Sequence, residues 1–565
     1  MREIQAEIVI IGAGCAGLCA ARQAAAAGAD ALVIDENERP GGQLFKQIHK
    51  FFGSKEHQAG SRGFEIGARL LEDVRGAGAR VMLNSLVYGL LPDDSMGMIS
   101  GGVNYSVKSK RIIIASGAKE NYLAFPGSTL PGVMGAGAAQ TMININRVLP
   151  GKRVLMVGSG NVGLIVAYQL TQAGAEVVAL VEAAPVIGGY GVHAAKIRRA
   201  GVPILLRHTL IGAWGDGEVR RVGVAEVDDK FSPIPGTEKY FDADTICLAV
   251  GLNPMTELAR MRGCEFVYIP LFGGFVPLHD ENMETSAKGI YVAGDITGVE
   301  EASTAMEEGN LAGVAAARSL GYLSEAEAER LKADIRARLD ALRAGVFGEK
   351  RRYAKESQIS AMSLAHGGAA VVAANTKHSA AAAKAGQAAH MPEQLLPGVA
   401  RGGVLSADEL ATCPGVPPIE RAKKGRVAYI ECAQEIPCDP CESACRFGAI
   451  KVGADITSLP VLDSEKCVGC GQCVPACPGL AIFIVDLSRE DGMAVIEFPY
   501  EYLPLPEPGS KVTAADREGK AICQGEILSV TRRGSYNGTV VISMLVPEEY
   551  AGEARSMRRL VGRDT

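Results

Sequence analysis

The sequence lacks an excess of basic residues, and it lacks a long apolar run. Its 58 Lys and Arg are outnumbered by 64 Asp and Glu, and the formal net charge is -6 at pH 7. Proteins that bind nucleic acid present a basic surface, because counterion release supplies much of their affinity. We therefore expect no nucleic-acid partner. No uninterrupted apolar stretch reaches the ~20 residues of a bilayer-spanning helix, so we expect no transmembrane segment.

We expect no secretion signal either. The opening residues, MREIQAEIVIIGAG, have an apolar run that starts after Glu7 and ends at glycines, without a separate charged region or cleavage site. Of the 14 Cys, eight lie between Cys432 and Cys477. In a large chain without a secretion signal this crowding indicates metal ligands more than disulfides. A reducing cytoplasm is the expected location.

Glycine, by contrast, is abundant. The chain has 68 Gly among 565 residues, well above the usual ~7%. Such a content suggests repeated tight turns against ligands. The length predicts several cores, because a domain usually holds ~100–200 residues.

The stretch EIVIIGAGCAGLCAARQAAAAGADALVIDE (7–36) runs from a β-branched strand through glycines into an Ala-rich helix and a second strand. This order is typical of a βαβ dinucleotide-binding unit. We expect Gly12 to make the turn, Gly14 to admit a pyrophosphate and Gly17 to allow close helix packing. Asp35, which ends the second strand, is the expected acceptor for a ribose hydroxyl. The helix N-terminus would then face the phosphates.

A second stretch, RVLMVGSGNVGLIVAYQLTQAGAEVVALVE (153–182), repeats the pattern with Gly158, Gly160, Gly163 and Glu182. The interval from first glycine to acid is 24 positions here and 23 in the first unit, which indicates an internal repeat. A glutamate at the ribose position favours NAD(H) over NADP(H). The alternative, that this site holds a fixed nucleotide or none, stays open.

A cysteine-rich region near the carboxyl end matches the bacterial ferredoxin run C-x2-C-x2-C-x3-C-P. The matching residues are Cys467, Cys470, Cys473, Cys477 and Pro478. Upstream, Cys438, Cys441 and Cys445 precede RFGAI as the later thiols precede PGLAI, so the region is itself a repeat. In the crossed ligand pattern, one [4Fe–4S] cluster (cluster one) takes Cys432, Cys438, Cys441 and Cys477. The other (cluster two) takes Cys467, Cys470, Cys473 and Cys445.

The upstream half departs from a regular run. Glu435 stands where a cysteine is expected, and Arg446 replaces the usual proline. The pattern therefore supports Cys432 as a cluster ligand less strongly than it supports the other seven thiols. A zinc site would need thiol pairs separated by ~15–20 residues, whereas each half here has three or four closely spaced thiols. We therefore expect two [4Fe–4S] clusters.

Three further segments decide which nucleotide the first site takes. They are RPGGQ (39–43), RIIIASGA (111–118) and GIYVAGD (289–295). In this order they resemble the two-dinucleotide-binding flavoprotein superfamily. The resemblance implies an FAD site that includes Glu36, Gly42, Gln43, Gly117, Gly294, Asp295, Ala302 and Ser303. It also implies a helix after Asp295 whose N-terminus faces the flavin and favours its anionic reduced form.

The stretch FPGSTLPGVMGAGAAQTMIN (125–144) narrows the resemblance. With the glycine turns, it resembles the alpha-type subunits of heteromeric amine dehydrogenases, which include hydrogen cyanide synthase, opine oxidase, D-hydroxyproline dehydrogenase and dye-linked L-proline dehydrogenase. The likeness covers about residues 5–325. It implies a hetero-oligomer with a beta-type flavoprotein that binds the amine, and a small iron–sulfur chain is a further candidate partner. Thioredoxin reductase has similar domains, but its redox CxxC would lie within 136–156, where no cysteine occurs.

We predict an α/β chain with two nested Rossmann-type domains, an α+β ferredoxin-like 2[4Fe–4S] domain and a small C-terminal β unit. The predicted segments are FAD domain (1–122 and 248–325), NAD-type domain (123–247), connecting region (326–425), ferredoxin-like domain (426–488) and β unit with tail (489–565). An exposed helix is predicted over 324–345. The Ala-rich stretch 361–398, which contains His366, His378 and His390, is either a helical packing surface or a linker.

The main hypothesis is an electron-transferring FAD and iron–sulfur subunit of an amine or amino-acid dehydrogenase, with NAD(H) as an optional second ligand. We nominate no catalytic side chain, because hydride exchange needs positioning more than an acid or base. Two alternatives stay open. One is an autonomous NAD(P)H:ferredoxin-type oxidoreductase, and the other is a non-catalytic relay whose second nucleotide site is vestigial.

Overall fold

The computed structural model describes residues 2–91, 95–366, 398 and 401–560. Most of the Ala-rich stretch 361–398, including His378 and His390, lies outside the described residues. The described chain forms two compact units. The first comprises the described parts of Met1–Ile48, Arg62–Glu120 and Gly251–His390, and the second those of His49–Ser61, Asn121–Val250 and Met391–Thr565.

None of the described helices combines the length and apolar character needed to cross a bilayer.

The first unit contains eleven of the described strands. They are β1 (Arg2–Ile11), β2 (Ala31–Ile34), β3 (Arg80–Met82), β4 (Ser85–Leu90), β5 (Ser95–Ser100), β6 (Val103–Ile114), β7 (Ala118–Glu120), β16 (Leu252–Pro254), β17 (Phe266–Ile269), β18 (Gly274–Pro277) and β19 (Ile290–Val292). Its helices are α1 (Cys15–Ala26), α2 (Gly63–Gly76), α6 (Glu257–Met261), α7 (Ala302–Ser319), α8 (Glu325–Leu342) and α9 (Gly345–His366).

The main sheet of the first unit has the strand order β3-β2-β1-β6-β5-β4, with β19 also paired to β6. Strands β1, β2, β3, β6 and β19 run parallel to one another, β5 pairs antiparallel with β6, and Ile11 lies in register with Ile34 and Ile114. Parallel strands are covered on both faces, which explains the uninterrupted apolar ends of β1 and β2. Because these strands end at one edge, the segments that follow Ile11, Ile34 and Ile114 meet there.

Helix α7 packs backbone to backbone on α1. A Cβ on Gly309 would lie 2.1 Å from the carbonyl oxygen of Ala16, and one on Gly313 would lie 2.3 Å from that of Ala20. The predicted helix after residue 324 is confirmed as α8, which Ser324 and Glu327 begin with a capping box. Glycine in α7 therefore brings the helix after Asp295 close to the first glycine turn.

The second unit contains the other described strands. They are β8 (Val133–Gly135), β9 (Arg153–Val157), β10 (Glu176–Glu182), β11 (Ile204–Leu206), β12 (His208–Trp214), β13 (Arg221–Glu226), β14 (Lys239–Asp242), β15 (Thr245–Leu248), β20 (Val427–Ile430), β21 (Ile450–Val452), β22 (Pro460–Leu462), β23 (Ile482–Asp486), β24 (Met493–Tyr500), β25 (Lys511–Ala515), β26 (Ala521–Thr531), β27 (Val540–Pro547) and β28 (Ser556–Met557). Its helices are α3 (Ala136–Thr141), α4 (Asn161–Gln172), α5 (Gly191–Arg199), α10 (Ala407–Thr412), α11 (Ile419–Lys423), α12 (Pro440–Ala444) and α13 (Cys473–Ala476).

A parallel sheet of order β11-β10-β9-β15-β8 carries the second glycine turn. Its central strand β9 is followed by α4 and then by β10, as β1 is followed by α1 and β2 in the first unit. The prediction of two Rossmann-type domains is thus confirmed. The return of the chain into the first unit at Gly251 nests the second domain within the first.

The cysteine-rich region and the C-terminal strands share one antiparallel sheet, of order β20-β23-β24-β27-β26-β25-β28. Strand β23 pairs with β24 across the predicted boundary at 488/489. Residues on both sides of that boundary thus share one sheet and one core. Residues 49–61, which follow the RPGGQ segment, also belong to this second unit.

Candidate functional site

The first glycine turn leaves an open cradle at the N-terminus of α1. Gly12 has a φ of +106°, and a Cβ there would lie 2.3 Å from the carbonyl oxygen of Ala115, so only glycine fits. A Cβ on Gly17 would lie 1.8 Å from the carbonyl oxygen of Gly12. Gly14, the residue that precedes α1, has no atom within 4 Å of its Cβ position. The space in front of the helix N-terminus therefore fits a pyrophosphate.

Asp35 lies beside this cradle. It is buried, and its Oδ2 accepts a hydrogen bond of 2.5 Å from the backbone N–H of Ala13, while its Oδ1 accepts one of 2.8 Å from Asn37. The neighbouring Glu36 is exposed. The carboxylate at the end of β2 is thus tied to the glycine turn, at the position predicted for a ribose contact.

The RPGGQ segment crosses the same turn. The backbone N–H of Gly41 donates a hydrogen bond of 2.6 Å to the carbonyl of Ala13, and a Cβ on Gly42 would lie 2.9 Å from the Cα of Gly14. Gln43 follows in a 3₁₀ turn, Gly42–Lys46. Gly117 has a φ of +74° and an open Cβ position. The structure therefore brings the predicted glycines of the first site together at one edge.

Asp295 and the start of α7 complete the first site. Gly294 has a φ of +77°, Ala302 begins α7, and Ser303 is buried. Burial, together with the carboxylates of Glu308, Glu300 and Glu301, raises the pKa of Asp295 to about 7 against a hydrogen bond from the backbone of Glu300. The side chain can therefore accept or donate a hydrogen bond near neutral pH.

Glu308 is a site residue that the sequence did not indicate. From α7, its Oε2 accepts hydrogen bonds from the backbone N–H of Gly294, at 3.1 Å, and from the hydroxyl of Thr297, at 2.7 Å. Its Oε1 lies 2.6 Å from Arg343 Nη2 and 3.0 Å from Lys355 Nζ. Burial opposes ionisation, but Lys355 and Arg343 lower the pKa of Glu308 to about 2. Glu308 thereby positions the loop that carries Asp295.

The sequence signal for this role is a pair of adjacent acids, Glu307 and Glu308, inside a helix made mostly of small and apolar residues. Both are buried. Buried carboxylates require partners, but those partners come from α8 and α9, which are remote in sequence.

Replacement of Glu308 by glutamine is expected to lower the free energy of unfolding at pH 7 by about 3 kcal/mol. A pKa held at about 2 instead of 4.5 contributes stability that is present above the unfolded value and lost as pH falls through the folded value. The wild-type protein should therefore lose this stability between pH ~5 and ~2, and the E308Q variant should show a flatter profile. Chemical denaturation at stepped pH measures both.

The matched control is Glu257→Gln. Glu257 pairs with Lys119 at 3.0 Å, and both side chains are 58% exposed, so its loss should change the free energy of unfolding by less than about 0.5 kcal/mol. Equal losses in the two variants would contradict the assignment of Glu308.

The second glycine turn repeats the first. Gly158 has a φ of +98°, and its Cβ would lie 2.3 Å from the carbonyl oxygen of Ala249. A Cβ on Gly163 would lie 2.1 Å from the carbonyl oxygen of Gly158, whereas Gly160 has nothing within 4 Å. The N-terminus of α4 therefore also faces open space, and the residues fit a second dinucleotide.

Glu182 occupies the place that Asp35 has in the first site. Its Oε2 accepts hydrogen bonds from the backbone N–H and the hydroxyl of Ser159, at 2.9 and 2.7 Å, and its Oε1 accepts one of 2.8 Å from Ala184. The backbone N–H of Gly189 donates to the carbonyl of Ser159 at 2.9 Å. A diglycine segment thus crosses this turn as RPGGQ crosses the first.

The structure brings the eight predicted thiols into two groups. Burial raises the pKa of the Cys438 thiol, and so do the neighbouring thiols Cys477, Cys441 and Cys432. For Cys473 the pKa is likewise raised by burial, and the neighbours with the same effect include Cys467, Cys470 and Cys445. The crossed pattern predicts these neighbours, and Cys473 is in addition a neighbour of Cys441. A bound iron–sulfur cluster would supply the positive charge that keeps such buried thiols deprotonated.

The second thiol group, Cys445, Cys467, Cys470 and Cys473, lines one pocket. Backbone N–H groups point at equivalent sulfurs in the two halves, from Ala449 to Cys445 at 3.3 Å and from Ala481 to Cys477 at 3.5 Å. Among the described residues, no three His, Cys, Asp or Glu side chains converge on a point that a single metal ion would occupy. A cubane instead needs its thiolates spread around it, one for each iron, and the donor set fits that group.

Two glycine turns on nested Rossmann-type domains, followed along the chain by a cysteine-rich segment, define a two-dinucleotide flavoprotein with an iron–sulfur module. The family model "Pyridine nucleotide-disulphide oxidoreductase" matches residues 6–309, and the model "4Fe-4S binding domain" matches residues 460–483. The chain belongs to the pyridine nucleotide-disulphide oxidoreductase family, and it is an oxidoreductase as predicted.

Similar proteins include an opine oxidase subunit of Agrobacterium tumefaciens (strain Ach5), 30% identical over 56% of this chain and 66% of that protein. Hydrogen cyanide synthase subunit HcnB of Pseudomonas aeruginosa is 28% identical over 62% of this chain and 80% of its own. A solved structure, L-proline dehydrogenase from P. horikoshii, is 19% identical over 60% of this chain and 59% of its own, with a TM-score of 0.46. The match thus spans just under two thirds of the opine oxidase protein. The resemblance to this group of subunits is confirmed.

Proposed function

We propose that this chain is the electron-transferring FAD and iron–sulfur subunit of a heteromeric amine or amino-acid dehydrogenase. One observation carries the proposal: a dinucleotide cradle at Gly14 and eight closely spaced thiols, four of which line one pocket, occur in one chain. When bound, a flavin exchanges electron pairs and single electrons, whereas [4Fe–4S] clusters exchange single electrons.

In this proposal the first site takes FAD. The cradle formed by Gly12, Gly14 and Gly17 would receive the pyrophosphate, and Asp35 would accept from a ribose hydroxyl. Asp295 would contact the ribityl region, held in place by Glu308 through Gly294. The positive end of the α7 dipole would face the pyrimidine edge.

The thiols would hold two clusters. Cys432, Cys438, Cys441 and Cys477 would bind cluster one, and Cys467, Cys470, Cys473 and Cys445 would bind cluster two. Cys470 is exposed, so its group would offer an exit for electrons at the surface of the second unit. Electrons would pass from the flavin in the first site to the two clusters.

The amine substrate would bind a companion beta-type flavoprotein, with a small iron–sulfur chain as a further candidate partner. Two similar proteins carry the word subunit in their names, which supports a hetero-oligomer. The clustered thiols support a reducing cytoplasm as the location.

Anaerobic purification of the chain, co-expressed with flavoproteins that are encoded beside it in the genome, tests the proposal. We expect one FAD and about eight iron atoms per chain, and amine-dependent reduction only when a second flavoprotein co-purifies. Full amine dehydrogenase activity from this chain alone would overturn the subunit role. A preparation without flavin would overturn the cofactor assignment.

A second candidate function, an NAD(P)H:ferredoxin-type oxidoreductase, is favoured by the open position at Gly160 and by Glu182. It predicts that NADH bleaches the flavin of the isolated chain. In that case Gly160→Asp should abolish the NADH response, because its carboxylate would repel a pyrophosphate at the N-terminus of α4. Anaerobic stopped-flow absorbance of the flavin measures the response.

The G160D variant should retain its FAD, because the first site lies in the other unit. An NADH response that survives G160D would contradict nicotinamide binding at this turn. No response in the wild-type chain would favour the alternative of a fixed nucleotide or none.

A further inference from the structure

Two buried lysines reach the loop that carries Cys477 from outside the cysteine-rich region. Lys50 is only 4% exposed. Its ammonium donates hydrogen bonds to the carbonyl of Pro475, to the carbonyl of Tyr536 at 2.8 Å, and to the hydroxyl of Thr539 at 2.9 Å. Lys50 thus contacts the chain just before the ligand.

Lys196 contacts the same loop just after Cys477. It lies on α5, is 4% exposed, and places its Nζ 3.4 Å from the carbonyl oxygen of Pro478. The ring centroid of Tyr168 lies 5.0 Å from the same Nζ. Two ammonium groups therefore bracket Cys477.

Segment 49–61 reinforces this placement. The backbone of Gly53 pairs with Cys438, a second predicted ligand of cluster one, and its carbonyl accepts a hydrogen bond of 3.3 Å from Asp439. The segment that carries Lys50 is therefore held beside Cys438 by backbone pairing, in addition to the contacts of the Lys50 side chain.

Burial strengthens the interaction of these lysines with any nearby anion. An ammonium group loses its hydration when it is buried, and this loss is large unless hydrogen bonds and opposite charge compensate it. Carbonyl oxygens supply the hydrogen bonds. A cluster with four thiolates supplies negative charge, and it gains one further unit when it accepts an electron. Nearby buried cations therefore stabilise the reduced state most.

Cluster two has a different set of cations. Lys466, next to Cys467, has a side chain that is 64% exposed and pairs with Asp463 at 2.7 Å. Arg426, 44% exposed, donates to the carbonyl of Gly469 but also pairs with Glu497 at 2.7 Å. Arg421 donates to the carbonyl of Cys467 at 2.7 Å and is partly buried. Solvent screens the exposed charges, and Glu497 offsets that of Arg426.

We propose that Lys50 and Lys196 are positioning residues that raise the reduction potential of cluster one relative to that of cluster two. This inference rests on the proposed function, because it requires both clusters. Each cluster accepts one electron, no bond forms or breaks, and the donor in the chain is the reduced flavin. The lysines would make cluster one the favoured site for the first electron.

The test is a dithionite titration of the anaerobic holoprotein, followed by electron paramagnetic resonance, on wild type, K50M and K196M. We expect each variant to lower the midpoint of cluster one, so that reduction at a fixed potential becomes about tenfold less favourable, equal to ~59 mV for one electron. The midpoint of cluster two should move by less than half as much. A C470S variant, which alters cluster two, assigns the two signals.

Charge-conserving and neutral variants separate charge from structure. K50R and K196R should retain the wild-type midpoint, and K466M should shift neither cluster because its charge is exposed. If K50M or K196M fails to assemble, K50Q and K196Q remove the charge but retain a donor for the carbonyls. Unchanged or equally shifted midpoints in the assembled neutral variants would overturn the inference. A wild-type chain with about four irons would instead overturn the two-cluster proposal itself.

Discussion

Replacement of Cys441 by serine is expected to remove about half of the iron bound by the chain, from about eight to about four atoms. Cys441 is buried among Cys477 and Cys432, and a hydroxyl is a much poorer ligand for iron than a thiolate. Cluster one should then fail to assemble, while cluster two should persist. Iron and acid-labile sulfide analysis, with paramagnetic resonance of the dithionite-reduced protein, measures the loss.

The control is Cys247→Ser. Cys247 is also buried, but it lies on β15 of the second nucleotide domain, where no cluster is proposed. Its replacement should leave the iron content unchanged. Full iron content in C441S, or equal iron loss in C247S, would contradict the assignment of Cys441 to a cluster.

Replacement of Gly14 by aspartate is expected to weaken FAD binding by about a hundredfold or more. Nothing lies within 4 Å of the Cβ position, so the backbone should accommodate the side chain. The new carboxylate would stand where a pyrophosphate is proposed, and like charges placed together in a cleft cost several kcal/mol. Flavin content after gel filtration, and reconstitution of the apoprotein with FAD, provide the measurement.

Gly76→Asp is the matched substitution at another open glycine. Gly76 ends α2, is exposed, and also has nothing within 4 Å of its Cβ position. Its FAD content should equal that of wild type. The G14D protein should still contain about eight irons, since all proposed cluster ligands belong to the second unit. FAD retained by G14D would place the flavin elsewhere.

The parts of the site that the sequence predicted are those made by short local patterns. A glycine turn between a strand and a helix has a characteristic local geometry, which includes the positive φ of Gly12 and Gly158. The two cysteine runs indicated their grouping because the crossed ligand pattern belongs to the repeat itself. Asp35 and Glu182 were indicated by their distance from the glycines along the chain.

Glu308 shows why other parts were not predicted. Its role depends on Gly294, Arg343 and Lys355, which helix packing brings together from three separate segments. Lys50 and Lys196 are a similar case. Neither lysine lies near a cysteine in the sequence, and only the fold of the second unit brings them to either side of Cys477.

Sequence by itself therefore determined the two glycine turns and the acid that follows each, and it predicted the grouping of the eight thiols, because each depends on spacing along a few tens of residues. Tertiary structure alone decided where β24 pairs, which unit residues 49–61 join, and which buried charges surround Asp295 and Cys477. The physical reason is that burial and charge pairing depend on contacts between distant segments. Such contacts leave no periodic pattern in the chain.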